Sequence, residues 1–321
     1  MNANETHGVP VKTAARWSAE VAFSRNRGLI SPREQARLRN SRVAVAGLGG
    51  VGGIDLITLA RLGIGRFTIA DPDVFELANT NRQLGAMQST MGRRKADVML
   101  DMVHDINPEA EVRIFTDPVG PANAEKFLEG ADILVDAIEA FAIDVRILLF
   151  RLAAARNIFA LGAGPVGFST VWVIFDPQGM SFEDYFGLAE DMDEVEKFAA
   201  YIVGMAPRAT HRAYMDPTYI DFDARTGPSV CSACQVAGGI VGAEVVKVLL
   251  GRGSIRPAPY YHLFDPYVGR YICGRLILNG RWHPLQRLKR SLFIKYIRAR
   301  RTPEERIRLS VAGHYQRWAL P

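Results

Sequence analysis

The segment Gly47-Leu48-Gly49-Gly50-Val51-Gly52 constrains the fold of this chain more than any other. It follows Val43-Ala44-Val45-Ala46, an apolar run that reads as a parallel strand buried on both faces. A helical pattern then extends to Leu62, and a second strand reads over Phe67-Thr68-Ile69-Ala70. Strand, glycine turn, helix and strand make a βαβ unit. In such a turn the first glycine permits the bend, the second lets backbone approach a phosphate, and the third allows close helix–strand packing. The amides at the helix start then face the anion. Asp71 lies 19 residues beyond Gly52, the spacing of an acid that binds a ribose hydroxyl. Gly47, Gly49, Gly50, Gly52 and Asp71 are therefore expected to bind a nucleotide.

The alternation continues. Ser31-Pro32 predicts a capped helix, and Gly92–Ile106 a second one that Asn107-Pro108 ends. Strands read near Val112–Phe115, Ile133–Asp136, Phe159–Gly162 and Thr170–Phe175. Residues 180–225 form an acidic stretch with weak periodicity. Gln235–Leu250 reads as an apolar helix ended by Gly251, and Tyr260–Phe264 and Arg270–Leu278 as two last strands. The pattern predicts an α/β fold with a doubly wound, mostly parallel Rossmann-like sheet, an antiparallel extension and a basic C-terminal tail.

Composition excludes other classes. With 321 residues, 48% hydrophobic and 23% charged, the chain is neither disordered, collagenous nor a coiled coil. Three cysteines cannot fill a four-cysteine zinc site, so no structural zinc is expected. The same count, a polar N-terminal stretch without an apolar core, and charges that interrupt the apolar stretch 140–163 lead to an expectation of a cytoplasmic protein. The net charge of +5 is uneven. Residues 281–321 hold eleven Lys and Arg against Glu304 and Glu305, a net of +9, which leaves −4 for the rest.

A dinucleotide is the default ligand of the glycine turn. Asp71-Pro72-Asp73, Asn79-Thr80-Asn81-Arg82-Gln83 and Lys95 argue for a triphosphate instead, because they add two cations and two amides beyond the second strand. An NAD-dependent oxidoreductase remains an alternative, although no hydride-transfer constellation is visible. A catalytically degenerate nucleotide-binding scaffold is a second.

Gly47 to Gly53, Asp71-x-Asp73, Asn79-x-x-Arg82-Gln83 and Lys95 resemble, in order and spacing, the adenylating domain of ThiF/MoeB proteins and ubiquitin-activating enzymes. The resemblance covers about Phe23 to Gly253. It implies ATP- and Mg²⁺-dependent adenylation of a carboxylate, such as the C-terminus of a ubiquitin-like or sulfur-carrier protein or a peptide. It also implies an N-terminal arm over 1–30, an adenylation domain over 31–253 with an insert at 176–225, and a C-terminal part over 254–321. Asp71, Asp73 and Gln83 would serve the nucleotide, with Asn79, Arg82 and Lys95 around its phosphates. Phe23-Ser24-Arg25-Asn26 is similar to the family's aromatic-Ser-Arg-Gln segment, whose arginine reaches the partner subunit's nucleotide. The resemblance thus implies a homodimer in which Arg25 acts in trans. The family's magnesium-binding aspartate is matched by Glu139 in Asp136-Ala137-Ile138-Glu139, and Asp136 is a possible second acid.

No cysteine lies between Gly164 and Val230, where thioester-forming members place one, so adenylation without a thioester on this chain is expected. Cys231 and Cys234 read as small core residues. The histidines show no ligand spacing. Ala206–Arg212 is a basic segment that could approach an acyl phosphate. Leu285–Tyr296 is an amphipathic basic helix, which reads as a surface helix, with nucleic-acid or membrane contact as the alternative.

Overall fold

The computed structural model describes residues 16–222, 224–276, 278 and 282–299. Its elements, in chain order, are α1 (Ala19–Ala22), α2 (Pro32–Asn40), β1 (Arg42–Ala46), α3 (Gly52–Arg61), β2 (Arg66–Ala70), α4 (Lys95–Ile106) and β3 (Glu111–Phe115). There follow α5 (Ala124–Phe127), β4 (Ile133–Asp136), α6 (Ile143–Ala155), β5 (Phe159–Val166), β6 (Ser169–Phe175), α7 (Phe182–Phe186) and α8 (Glu194–Met205). The last are α9 (Cys231–Leu250), β7 (Tyr260–Asp265), β8 (Arg270–Arg275) and α10 (Pro284–Ala299).

The strands form one sheet of eight in the order β3-β2-β1-β4-β5-β6-β7-β8. The first five are parallel, and β6, β7 and β8 add on antiparallel. Alternate residues of β1 serve opposite cores. Val43 and Val45 pack with Leu56, Leu59, Val103, Val241 and Val245 from α3, α4 and α9. Ala44 and Ala46 face Leu149, Phe150, Tyr185 and Ala200 from α6, α7 and α8. Each fully buried Leu or Phe contributes about 1.5–3 kcal/mol. Chain order reverses between β1 and β4, and crevices at such reversals are where open α/β sheets bind ligands.

Several boundaries differ from those read in the sequence. α4 starts at Lys95, because Gly92 has φ +78° and Arg94 is non-helical, with Lys95 N–H bonded to the Asp73 carbonyl. β8 stops at Arg275, short of Leu278, whose φ is +64°. Among the described residues the insert holds two α-helices, α7 and α8. α8 carries a capping box, Asp193 with Glu196, and buries Val195, Phe198 and Ala199. Those signals stand in the sequence, masked by the acidic residues between them.

α9 starts four residues before Gln235, which places Cys231 and Cys234 in its first turn. Cys234 is buried, as expected, but Cys231 is exposed. α9 is long and apolar enough to cross a membrane, but its apolar character reflects burial within the fold. Ala233, Ala237, Val241 and Val245 are buried, and a methyl on Gly238 would meet Ile54 Cγ2 at 2.4 Å.

The tail helix lies on the surface, as read, with one face packed into the fold. α10 packs on α8, burying Gln286, Arg290 and Ile297, while Arg298 pairs with Asp193 at 2.5 Å and Glu196 at 3.1 Å. One face is thus part of the fold and unavailable to a membrane or nucleic acid. Residues 300–321 lie outside the described residues.

On α3, Asp55 is wholly buried, and neither of its carboxylate oxygens has a hydrogen-bond partner among the described residues. Burial alone lifts its carboxyl well above the usual range. An unfolded chain ionises there near pH 3.8. The folded protein is therefore unpenalised below that pH and loses stability as pH rises toward the folded-state value. Asp55→Asn is expected to be more stable than the parent at neutral pH. The difference should grow by about 1.4 kcal/mol per pH unit between the unfolded and the folded-state values, level off above the latter, and be independent of pH below the former. Melting curves over a pH series check this, and a pH-independent difference would contradict it.

Candidate nucleotide site

The glycine turn leaves β1 at the strand-order reversal. Gly47 has φ +91°, and a Cβ there would sit 2.4 Å from the Ala137 carbonyl oxygen. The β1 and β4 turns therefore pack backbone on backbone. At Gly52 a Cβ would lie 1.9 Å from the Gly47 oxygen, so only glycine lets α3 start so close to the turn.

Asp71, at the end of β2, braces this turn. Its Oδ2 accepts from Leu48 N–H at 2.7 Å and its Oδ1 from Asp73 N–H at 2.9 Å. Burial raises its carboxyl pKa, although Lys95 and those two amides pull the other way. The residue read as a ribose ligand is thus also the clamp that shapes the glycine turn.

Around the turn lies a cleft of about 1660 Å³. It is lined by Gly47, Gly49, Gly50, Asp71, Asp73, Asn79, Arg82, Gln83, Lys95 and Glu139. Gly52 lies just inside α3. Lys95 is nearly buried, and its Nζ donates to Asp73 Oδ2 at 2.8 Å. Arg82 donates to the Ala78 carbonyl and to Asn81 Oδ1, and its stem would lie 3.4 Å from a methyl on Gly50. Asn79 Oδ1 caps Glu76 N–H. Gln83 is 8% exposed, and its Oε1 has no hydrogen-bond partner among the described residues. A buried acceptor without a donor, beside a backbone cradle, fits a polar ligand.

The acids after β4 divide. Asp136, read as a possible second metal acid, is 3% exposed, and its Oδ2 accepts from Arg146 Nε at 2.7 Å. It is closed to a metal. Arg146, on α6, also donates to the carbonyls of Ile138 and Glu139 and stacks over the Tyr201 ring at 4.6 Å. Burial works against its charge, but Asp136 and its other neighbours prevail, so the guanidinium holds its proton more tightly than usual. This residue was missed in the sequence, where it counted only as a charge interrupting an apolar stretch.

Glu139 is half-exposed, with Oε1 3.5 Å from the Arg225 guanidinium. No group of three or more His, Cys, Asp or Glu side chains converges among the described residues. Glu139 alone fits Mg²⁺ only in the usual manner of that ion, one carboxylate plus nucleotide phosphates and water.

One expected participant lies apart from the glycine turn. Arg25 is exposed and does not line the cleft. Its neighbour Asn26 bonds Gln35 and the Leu62 carbonyl, at the far end of α3, about 15 Å from the glycines by helix rise. Cys234 backs the cleft, 3.1 Å from a methyl on Gly50, and burial raises its thiol to about 11, so it is no thiolate nucleophile at neutral pH.

A family model described as "ThiF family" matches residues 23–275. Haemophilus influenzae tRNA threonylcarbamoyladenosine dehydratase is 38% identical over 135 residues, covering 42% of this chain and 52% of that protein. A probable adenylyltransferase/sulfurtransferase, MoeZ, of Mycobacterium tuberculosis is 35% identical over 136 residues, covering 41% and 35%. The matches thus span about half or less of these relatives. The structure of Escherichia coli MccB with ATP is similar in fold, with a TM-score of 0.57 and 18% identity over 77% of this chain and 67% of that one.

Proposed function

The chain belongs to the ThiF family, and from that premise we propose that it adenylates a carboxylate with ATP. One observation carries the reading: a single cleft gathers the glycine turn, Asp71, Asn79, Arg82, Gln83, Lys95 and Glu139. The amides at the start of α3 meet phosphate, and Asp71 meets the ribose. Asn79, Arg82 and Lys95 neutralise the β- and γ-phosphates, Lys95 leaving Asp73 to do so. Mg²⁺ held by Glu139 would supply further charge neutralisation on the phosphates. A carboxylate oxygen of the substrate bonds to the α-phosphorus. The bond to the β-phosphate oxygen breaks, and pyrophosphate leaves with that electron pair. The nucleophile is already anionic, so no base is needed, and positioning with electrostatics carries the rate.

Named relatives include an enzyme of a tRNA base and an adenylyltransferase/sulfurtransferase. The family match disfavours the oxidoreductase alternative. Nucleotide choice tests the proposal. ATP with Mg²⁺ at a hundredfold excess over Kd is expected to stabilise the protein by about 2.7 kcal/mol, read as a melting shift. NAD is expected to give much less. An equal or larger shift with NAD would refute the ATP reading.

A further inference from the structure

The cleft is larger than a nucleotide needs, since ligand pockets measure about 300–1,000 Å³ and this one about 1660 Å³. Its far half is walled by α8, the segment after it, and α10, and three cations converge there. Arg208 and Arg212 flank one end of that segment, and Lys289 reaches in from α10 to donate to the Pro207 carbonyl at 2.6 Å. None of the three forms an ion pair among the described residues. They lie close enough to act on one another, because Arg208 and Arg212 add to burial in lowering the Lys289 ammonium pKa. Like charges gathered without a counterion are costly unless a ligand supplies the opposite charge.

The segment is held in place. Thr210 Oγ1 donates to Asp265 Oδ2 at 2.6 Å and the Tyr214 hydroxyl to the same oxygen at 3.1 Å, with Asp265 fully buried on β7. Ala209 is kept at φ +44°, a conformation that costs a non-glycine residue on the order of 1–3 kcal/mol. His211 beside it is buried, and burial lowers it to about 4, so it stays neutral.

Resting on the adenylation reading, we infer that the far half of the cleft is a subsite for an acidic peptide. Arg208, Arg212 and Lys289 take a side-chain carboxylate while the peptide's terminal carboxylate reaches the α-phosphate. The remaining wall decides between a peptide and a nucleic acid. Phe198, Ile202, Leu292 and Phe293 line the same cleft. A repeating phosphate backbone calls for a continuous cationic track, whereas a mixed apolar and cationic pocket suits apolar and acidic side chains together.

The test uses the full chain and a fluorescein-labelled decapeptide of alternating Glu and Leu with a free C-terminus. A Gln–Leu peptide of equal length is the comparison, and unfractionated tRNA the competitor. The acidic peptide is expected to bind at least about tenfold tighter, the factor one charge-assisted hydrogen bond to a carboxylate supplies. Changing Arg208, Arg212 and Lys289 together to Ala should erase that preference. Changing Arg287 and Lys295, exposed on α10 outside the cleft, should leave it intact. Equal binding of both peptides, a preference that survives the triple change, or one lost equally with the outer pair overturns the inference. So does tRNA binding that the triple change abolishes while the peptides are not discriminated. The melting shift with ATP, read on the same preparations, reports separately on the adenylation reading.

Discussion

Arg146→Leu is expected to destabilise the protein by about 3–5 kcal/mol, the cost of leaving a buried charge without its partner. The Arg146 and Asp136 side chains are each 2% exposed, so no water compensates the orphaned carboxylate. The change also frees the Ile138 and Glu139 carbonyls and the contact over Tyr201. At roughly 2–4 °C per kcal/mol, the melting point should fall by about 6–20 °C. A second change, Asp136→Asn, should recover part of this by removing the unpaired charge, whereas unrelated defects would add. Melting of the three variants checks the expectation. A loss within about 1 kcal/mol for Arg146→Leu would mean that the pair does not hold the loop. Because that loop carries Glu139, the single variant should also show a smaller ATP-induced melting shift.

The second large effect concerns Arg25. Its placement at the far end of α3 leaves it no role in its own cleft, and a role in a second copy's cleft follows only if the chain forms a homodimer. Arginines that complete a phosphate site in this way are worth about 10³–10⁵ in rate. Arg25→Ala is therefore expected to lower activity sharply while ATP binding persists. Lys95→Ala should be inactive through its own site. When the two are mixed under subunit exchange, half the dimers are mixed and each has one intact site. About a quarter of parental activity should return. Activity that never returns, with exchange confirmed by mass, would show that Arg25 does not act in trans.

How much of this was legible depended on the kind of constraint. The Gly47–Gly52 turn was legible because backbone geometry permits only glycine where a Cβ would strike the Gly47 or Ala137 oxygen. The parallel strands were legible because burial on both faces leaves an unbroken apolar run, as in Val43–Ala46. Asp71, Arg82 and Lys95 were singled out by spacing and resemblance, and the fold brings them to one cleft. Its remaining features join residues distant in sequence. Glu139 meets Arg225, and Lys289 meets Pro207, through folding alone. Arg146 marks no local pattern, because its meaning lies in Asp136 and in two backbone carbonyls. What covers the tail helix was illegible for a similar reason. Its basic, amphipathic pattern is that of a surface helix, and only folding shows that Gln286, Arg290 and Ile297 are buried as it packs on α8.

The central claim is that ATP is cleaved between its α- and β-phosphates by a carboxylate. Exchange of labelled pyrophosphate into ATP reports that bond alone. With the parent protein, Mg²⁺ and a panel of peptides bearing free C-terminal carboxylates, label is expected to enter ATP with at least one of them. Exchange should stop when that peptide is amidated at its C-terminus or when Lys95 is changed to Ala. Exchange that continues with the amidated peptide, or release of orthophosphate with no label entering ATP, would contradict the account.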